Sequence, residues 1–231
     1  MNRIHESHQI NLFTNNEDIS PSPAVIFPLL QELSRFSLIP TFGQEVNALS
    51  GEMKQILIMT NPEQTYRVEF ASGSIVINSM ANNHDEFVEK SIGVLGEIQK
   101  IYPNKKFNRI ALLNAQIFID DVAKYERLYN ELFTYKEVSP FEWDNRIALR
   151  KQIAFHNEEI NSINSISRKE VGVINHNSGR PFDSVIFEID SNTLPSNASF
   201  RFDLTDSIQV LRGLNENNRR SLGVLSRYIE L

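Results

Sequence analysis

Asp183, Glu188 and Asp190, in the stretch FDSVIFEID, stand where a metal-dependent nuclease would carry the carboxylates that hold a divalent cation and activate water. The lysine expected two positions past the glutamate is replaced by Asp190. Strand alternation puts Glu188 and Asp190 on one face and Val185, Phe187 and Ile189 on the other, which is equally the pattern of a solvated face opposite a core. His156 neighbours Glu158 and Glu159, yet consecutive strand residues point apart, so the group reads as an exposed turn. His84 and His176 read as loop residues, and His5 and His8 as part of a loose N-terminus. No HExxH, GxSxG, GxGxxG or GxxxxGK[ST] pattern occurs, and HNSGRP at 176–181 reads as a strand connection. The residues therefore name no catalytic group and no cofactor.

Arg146, Arg150 and Lys151, with Arg168 and Lys169 further on, would form a basic patch if their strands paired. No aromatics are interleaved at a base-stacking spacing. Cross-strand pairing with Glu158, Glu159 and Glu170 is the simpler use of these cations. A net charge of −6 and a pI near 5.5 argue against gripping long phosphate backbones, so nucleic acid is not the expected partner. No window approaches the roughly 18 to 20 apolar residues of a membrane span, and MNRIHESHQINLF lacks the apolar core of a signal peptide. The expected compartment is the cytoplasm, without membrane contact. The absence of cysteine agrees with that, and it removes disulfides, thiol chemistry and Cys-based zinc sites together.

The elements that would position these groups follow from periodicity. A short strand over 8–14 precedes an amphipathic helix over 24–36, bounded by Pro40. Period-two stretches between 53 and 80 predict an antiparallel meander with Tyr66, Val68, Phe70, Ile75 and Ile77 on one face and Arg67 and Glu69 on the other. Asn82 and Asn83 are candidate caps for a helix running to about 102. A long strand over 106–119, apolar on both faces, belongs in the middle of a sheet. After a helix to about 135 come three strand candidates and a last helix entered at Leu204-Thr205-Asp206, with Gly213, Gly223 and NENNRR interrupting its apolar stripe. NRIAL occurs at 108–112 and again at 145–149, and the two copies lead into different elements, so the echo is read as two strands sharing a pattern rather than a repeat array. The expected fold is α+β: two antiparallel meander-plus-helix halves (three strands and a helix, twice), 1–135 and 136–231, joined by a long central strand and helix into one unit.

This order resembles a sporadically distributed, uncharacterised bacterial family with a SecB-like duplicated sheet-and-helix fold. The stretches that carry the likeness are TYRVEFASGSIVINSMANN, HDEFVEKSIGVLGEIQKIYP, FNRIALLNAQIFI and SVIFEIDSN with FRFDLTDSIQVLRGL. The resemblance implies a SecB-like architecture and, by analogy, a non-catalytic module that holds a protein partner, with an accessory antitoxin or antiphage role. The partner would lie against Tyr66, Val68, Phe70, Ile75 and Ile77, and self-association is compatible with this reading. Two other readings stay open. One is a metal-dependent nuclease or hydrolase subunit using Asp183, Glu188 and Asp190; the other is a nucleic-acid-binding regulator using Arg146, Arg150 and Lys151.

Overall fold

A computed structural model describes residues 1–47, 50–80, 83–173 and 176–230, so the candidate cap Asn82 lies outside the described residues. Strand β1 (Asn2–Phe13) turns Glu6, His8, Ile10 and Leu12 inward. It begins well before residue 8, and it is neither loose nor terminal in the sheet, because β5 and β6 pair with it on either side. The polar half escapes a hydrophobicity reading because its inward side chains are satisfied by polar partners. Helix α1 (Pro23–Leu33) opens with Pro23 at its first position, where a missing N–H costs nothing. A single 3-10 turn (Ser34–Phe36) extends it.

Strand β2 (Ile39–Val46) was hidden by Pro40, which reads as a breaker. It is an edge strand, and an edge tolerates a residue without an N–H. The meander follows as β3 (Met53–Thr60), β4 (Tyr66–Ala71) and β5 (Ser74–Ser79). Asn83 caps α2 (His84–Ile101) by accepting from the backbone N–H groups of Asp85 and Glu86. Then come β6 (Arg109–Ile119), α3 (Val122–Leu132) capped by Asp121, and β7 (Trp143–Gln152). The chain closes with β8 (Glu159–Val171), β9 (Phe182–Thr193) and α4 (Leu204–Leu225), which Asp203 and Asp206 open with a reciprocal capping box.

The protein is α+β, with one nine-stranded antiparallel sheet in the order β2-β3-β4-β5-β1-β6-β9-β8-β7 and four α-helices among the described residues. Outward from β1 the order is β5, β4, β3; outward from β6 it is β9, β8, β7. Ile10, Leu12, Val68, Ile77 and Leu112 pack beneath α1, α2 and α4. Phe118, Trp143, Ile166 and Phe187 pack with Tyr125, Leu128 and Tyr129 of α3. The opposite face bears Gln9, Asn11, Arg67, Glu69, Arg109, Arg146, Glu188 and Asp190, as the strand registers require.

The two NRIAL copies do become strands, with different fates. Ile110 and Leu112 are fully buried in β6, whereas Ile147 and Leu149 at the β7 edge are 55% and 49% exposed. Neither Gly213 nor Gly223 breaks α4. A Cβ at Gly213 would lie 2.9 Å from Ile153 Cβ, so the glycine lets the helix approach the end of β7; at Gly223 a Cβ would meet nothing within 4 Å. We expect Gly213→Ala to lower unfolding free energy by about 1–2 kcal/mol, overpacking outweighing the propensity gain. Gly223→Ala should raise it by about 0.5–1 kcal/mol. Denaturant titration of both variants checks the opposite signs.

Candidate functional site

At the end of the central strands two cavities of about 600 and 560 Å³ adjoin, sharing Thr14, Asn15, Glu17 and Phe200. Their walls are pinned by hydrogen bonds between segments distant in sequence. Thr14 Oγ1 donates to Lys106 O at 2.7 Å, and Asn16 Nδ2 donates to Ala71 O at 2.7 Å and Ser74 O at 2.9 Å. Lys105, itself buried, donates to Asn15 O, Asn16 Oδ1 and, at 2.5 Å, Asp18 Oδ1. The loop from β9 to α4 is tied down on the other side, where Phe107 N donates to Phe202 O at 2.7 Å and Arg201 Nη1 to Asn108 O at 2.7 Å. This anchoring presents Phe200, 52% exposed, between the two cavities.

Four cations line the groove, Lys54, Lys105, Lys106 and Arg109, against the carboxylates of Glu17 and Asp18. Asp18 neutralises Lys105, and Lys106 Nζ lies 3.6 Å from Asp203. Arg109 makes no ion pair among the described residues: its guanidinium lies 5.0 Å over the Phe13 ring and donates to the neutral amide oxygen of Asn192 at 3.1 Å. On an acidic protein this end is locally cationic, and it offers an aromatic face beside its anion-binding groups. Such a groove can bind phosphate while a planar ring stacks on phenylalanine. The sequence reading missed it because its residues lie in five separate segments. The available clue was the run of three cations within five residues in KKFNR at 105–109.

A second polar cluster is internal. Glu6 Oε1 accepts from Gln116 Nε2 at 2.9 Å and Asn114 Nδ2 at 3.1 Å, and Arg3 Nη1 lies 2.8 Å from Glu6 Oε2. His8 Nδ1 is 2.8 Å from Asn114 Nδ2 and 3.3 Å from His84 Nδ1, and its ring stacks on Phe87. Thus His8 and His84, read as terminus and loop, are brought together beneath α2, at 2% and 8% exposure. Further along, Asn217 Nδ2 donates to Ser162 and Ser191 hydroxyls, and Asn218 Nδ2 to Leu112 O. No group of three or more His, Asp or Glu suited to a metal ion occurs among the described residues.

The three carboxylates of FDSVIFEID do not converge. Asp183 lies on the helix-bearing face, where Arg168 holds it with Nε and Nη2 at 3.1 and 2.8 Å. Glu188 and Asp190 lie on the opposite face, because five residues separate 183 from 188 and the parity of the strand reverses. Burial pushes the Asp190 carboxyl up, against the opposing pull of Asn192, Arg109 and Arg146. The basic trio also divides. Arg146 and Arg150 share the face opposite the helices, whereas Lys151 points the other way and donates to Asn217 Oδ1 at 2.9 Å. His156 is exposed in a 3-10 turn with φ of 50°, and the His176 ring lies against Phe182.

The expected partner face is core. Tyr66, Val68, Phe70, Ile75 and Ile77 are each at most 4% exposed, because Phe87, Val88, Leu95 and Ile98 of α2 help to enclose them. Burial also raises the Tyr66 phenol, whose hydroxyl lies 3.0 Å from Ser91 Oγ.

No family model matches this chain, and no curated protein does. Among solved structures it is similar to a rolling circle replication initiator protein from Geobacillus stearothermophilus, at 10% identity over 97% of this chain and 84% of that one, with a TM-score of 0.32. So slight a likeness carries no argument about activity. The residues meant to hold a protein partner, Tyr66, Val68, Phe70, Ile75 and Ile77, are buried beneath the protein's own helices. The reading as a protein-binding module is therefore withdrawn. No helix among the described residues is long and apolar enough to cross a membrane.

Burial lowers the His84 imidazole from its usual 6.5, opposed by Asn215, Asp85 and Glu6 and assisted by Arg219. The unfolded chain then takes up a proton on this side chain at a higher pH than the folded protein does. Its contribution to stability is present above about pH 6.5 and is lost as pH falls through the folded value. We expect denaturant midpoints to decline between about pH 7 and pH 5.5, and His84→Gln to flatten that decline.

Proposed function

We propose that the groove at the strand ends binds a small phosphate-bearing ligand with a planar ring, of nucleotide size. The observation that carries this is Phe200, half exposed between two cavities flanked by Lys54, Lys106 and Arg109. Each cavity falls in the range of about 300–1,000 Å³ typical of small-molecule sites. Arg109, steadied by the Asn192 amide oxygen and by Phe13 beneath it, offers a charge unpaired among the described residues to a phosphate oxygen and has few rotations left to lose on binding. The cations are few and local, so the reading suits a mononucleotide or the end of a single strand and is compatible with a protein of net charge −6.

The strand order supports a finer reading of the fold as well. Each of two units would run strand, helix, meander, helix, the second beginning at β6 rather than at residue 136 and β2 being an addition to the first. We read this as the duplicated SecB-like plan with its boundary moved. A chain free of cysteine suits a reducing compartment such as the cytoplasm.

Calorimetric titration with the four ribonucleoside monophosphates, and with a short single-stranded oligonucleotide, tests the groove. We expect binding with micromolar to millimolar affinity for at least one probe, weakened about tenfold by Arg109→Ala and about tenfold by Phe200→Ala. Raised salt should affect the wild type more than Arg109→Ala. No heat at millimolar probe, or binding indifferent to both substitutions, would overturn the reading.

A further inference from the structure

The two edges of the sheet differ in how they are guarded. Strand β2 carries Pro40, which cannot donate to a further strand, and Gly43. The other edge, β7, runs ten residues, WDNRIALRKQ, with neither proline nor glycine and no charge on the helix-bearing face before Lys151. Its inner side pairs with β8 from Trp143 to Gln152 without a shift in register. Among the described residues its outer side has no strand beside it. On the helix-bearing face Ile147 and Leu149 are 55% and 49% exposed, although the same two positions of the other NRIAL copy, Ile110 and Leu112, are fully covered.

An antiparallel pairing of β7 with a second copy of itself must be centred on a residue; overlap of the full strand favours its two middle residues, Ile147 and Ala148, and charge selects between them. Centred on Ala148, the pairing sets Arg146 against Arg150 twice on the same face. Centred on Ile147, it sets Asp144 against Arg150 twice, Arg146 against the neutral Ala148, and Ile147 against its own copy, with Asn145 facing Leu149. Asp144 uses one carboxylate oxygen to accept from Ser165 Oγ at 2.7 Å, and it has no ion pair among the described residues; Arg150 has neither an ion pair nor a hydrogen bond there. Both side chains are exposed and point to the face opposite the helices.

We propose that β7 is a homodimerisation edge: two copies of this chain join β7 to β7 about a two-fold axis through Ile147, making one continuous sheet of eighteen strands. The twin Asp144–Arg150 pairs fix the register, and the facing Ile147 side chains, flanked by Leu149, supply the apolar contact. This surface is remote in sequence from the groove residues and does not depend on the ligand reading.

The chain has no cysteine, so single-cysteine variants report one contact each. Directly opposed positions in antiparallel strands are about 4.5–5.5 Å apart at Cα, within disulfide range. We expect Ile147→Cys to form a covalent dimer under mild oxidation, while Val46→Cys on the β2 edge stays monomeric on a non-reducing gel. Sedimentation should show a wild-type dimer. Arg150→Asp should weaken it about tenfold or more, with an unchanged melting temperature at concentrations where both proteins are monomeric, and adding Asp144→Arg should restore it to within about threefold. A wild type that stays monomeric at high concentration, a dimer insensitive to these charge changes, or equal crosslinking at the two edges would overturn the proposal.

Discussion

The antiparallel pairing of β1 with β6 holds the two flanks of the sheet together. It runs from Asn2 opposite Ile119 to Phe13 opposite Arg109, with one irregularity near Arg3 and His5. Along half of this seam the inward side chains are apolar: Ile10, Leu12, Ile110 and Leu112. Along the rest they are Glu6, His8, Asn114 and Gln116, all buried. A buried carboxylate is tolerable only with donors around it, and Glu6 has an arginine and two amides. Removing one partner would leave a buried charge short of a donor, so this half of the seam tolerates far less variation than the apolar half.

The same logic extends across the sheet through α4. A purely apolar helix would slide along a flat strand surface with little penalty, whereas Asn217 and Asn218 bind particular hydroxyls and the particular carbonyl of Leu112. Ser191 donates in turn to Asn218. Gly213 then brings the first half of the helix down onto Ile153. The anchored helix start lies directly after Arg201 and Phe202, the residues that secure the loop bearing Phe200. Helix placement and groove shape are in this way one problem.

Periodicity makes the meander, the long central strand, the capped helices and the α+β class legible from residues alone. Alternation also contains the fate of FDSVIFEID, since the odd separation between Asp183 and Glu188 forbids a shared face. What alternation leaves open is the covering layer. Tyr66, Val68 and Phe70 look the same whether a helix or a partner lies over them, and only the docking of α2 decides. NRIAL makes the point within one molecule, for the same five letters are core in β6 and rim in β7. The groove was illegible for a different reason: it collects Lys54, Lys106, Arg109 and Phe200 through loop anchoring, and no local pattern encodes that convergence.

The place of β1 has a consequence for the order of assembly. Ribosomes emit Asn2–Phe13 long before either neighbour, since His8 pairs with Ser79 on one side and with Asn114 on the other. Closing such distant contacts costs loop entropy before any burial repays it, which slows folding. Until β6 has left the exit tunnel, one flank of the central strand is open to whatever unpaired strand drifts past. Its alternating polar residues, Glu6, His8 and Gln9 among them, make that waiting edge a poor seed for aggregation. The polarity that obscures β1 in the sequence thus protects the nascent chain.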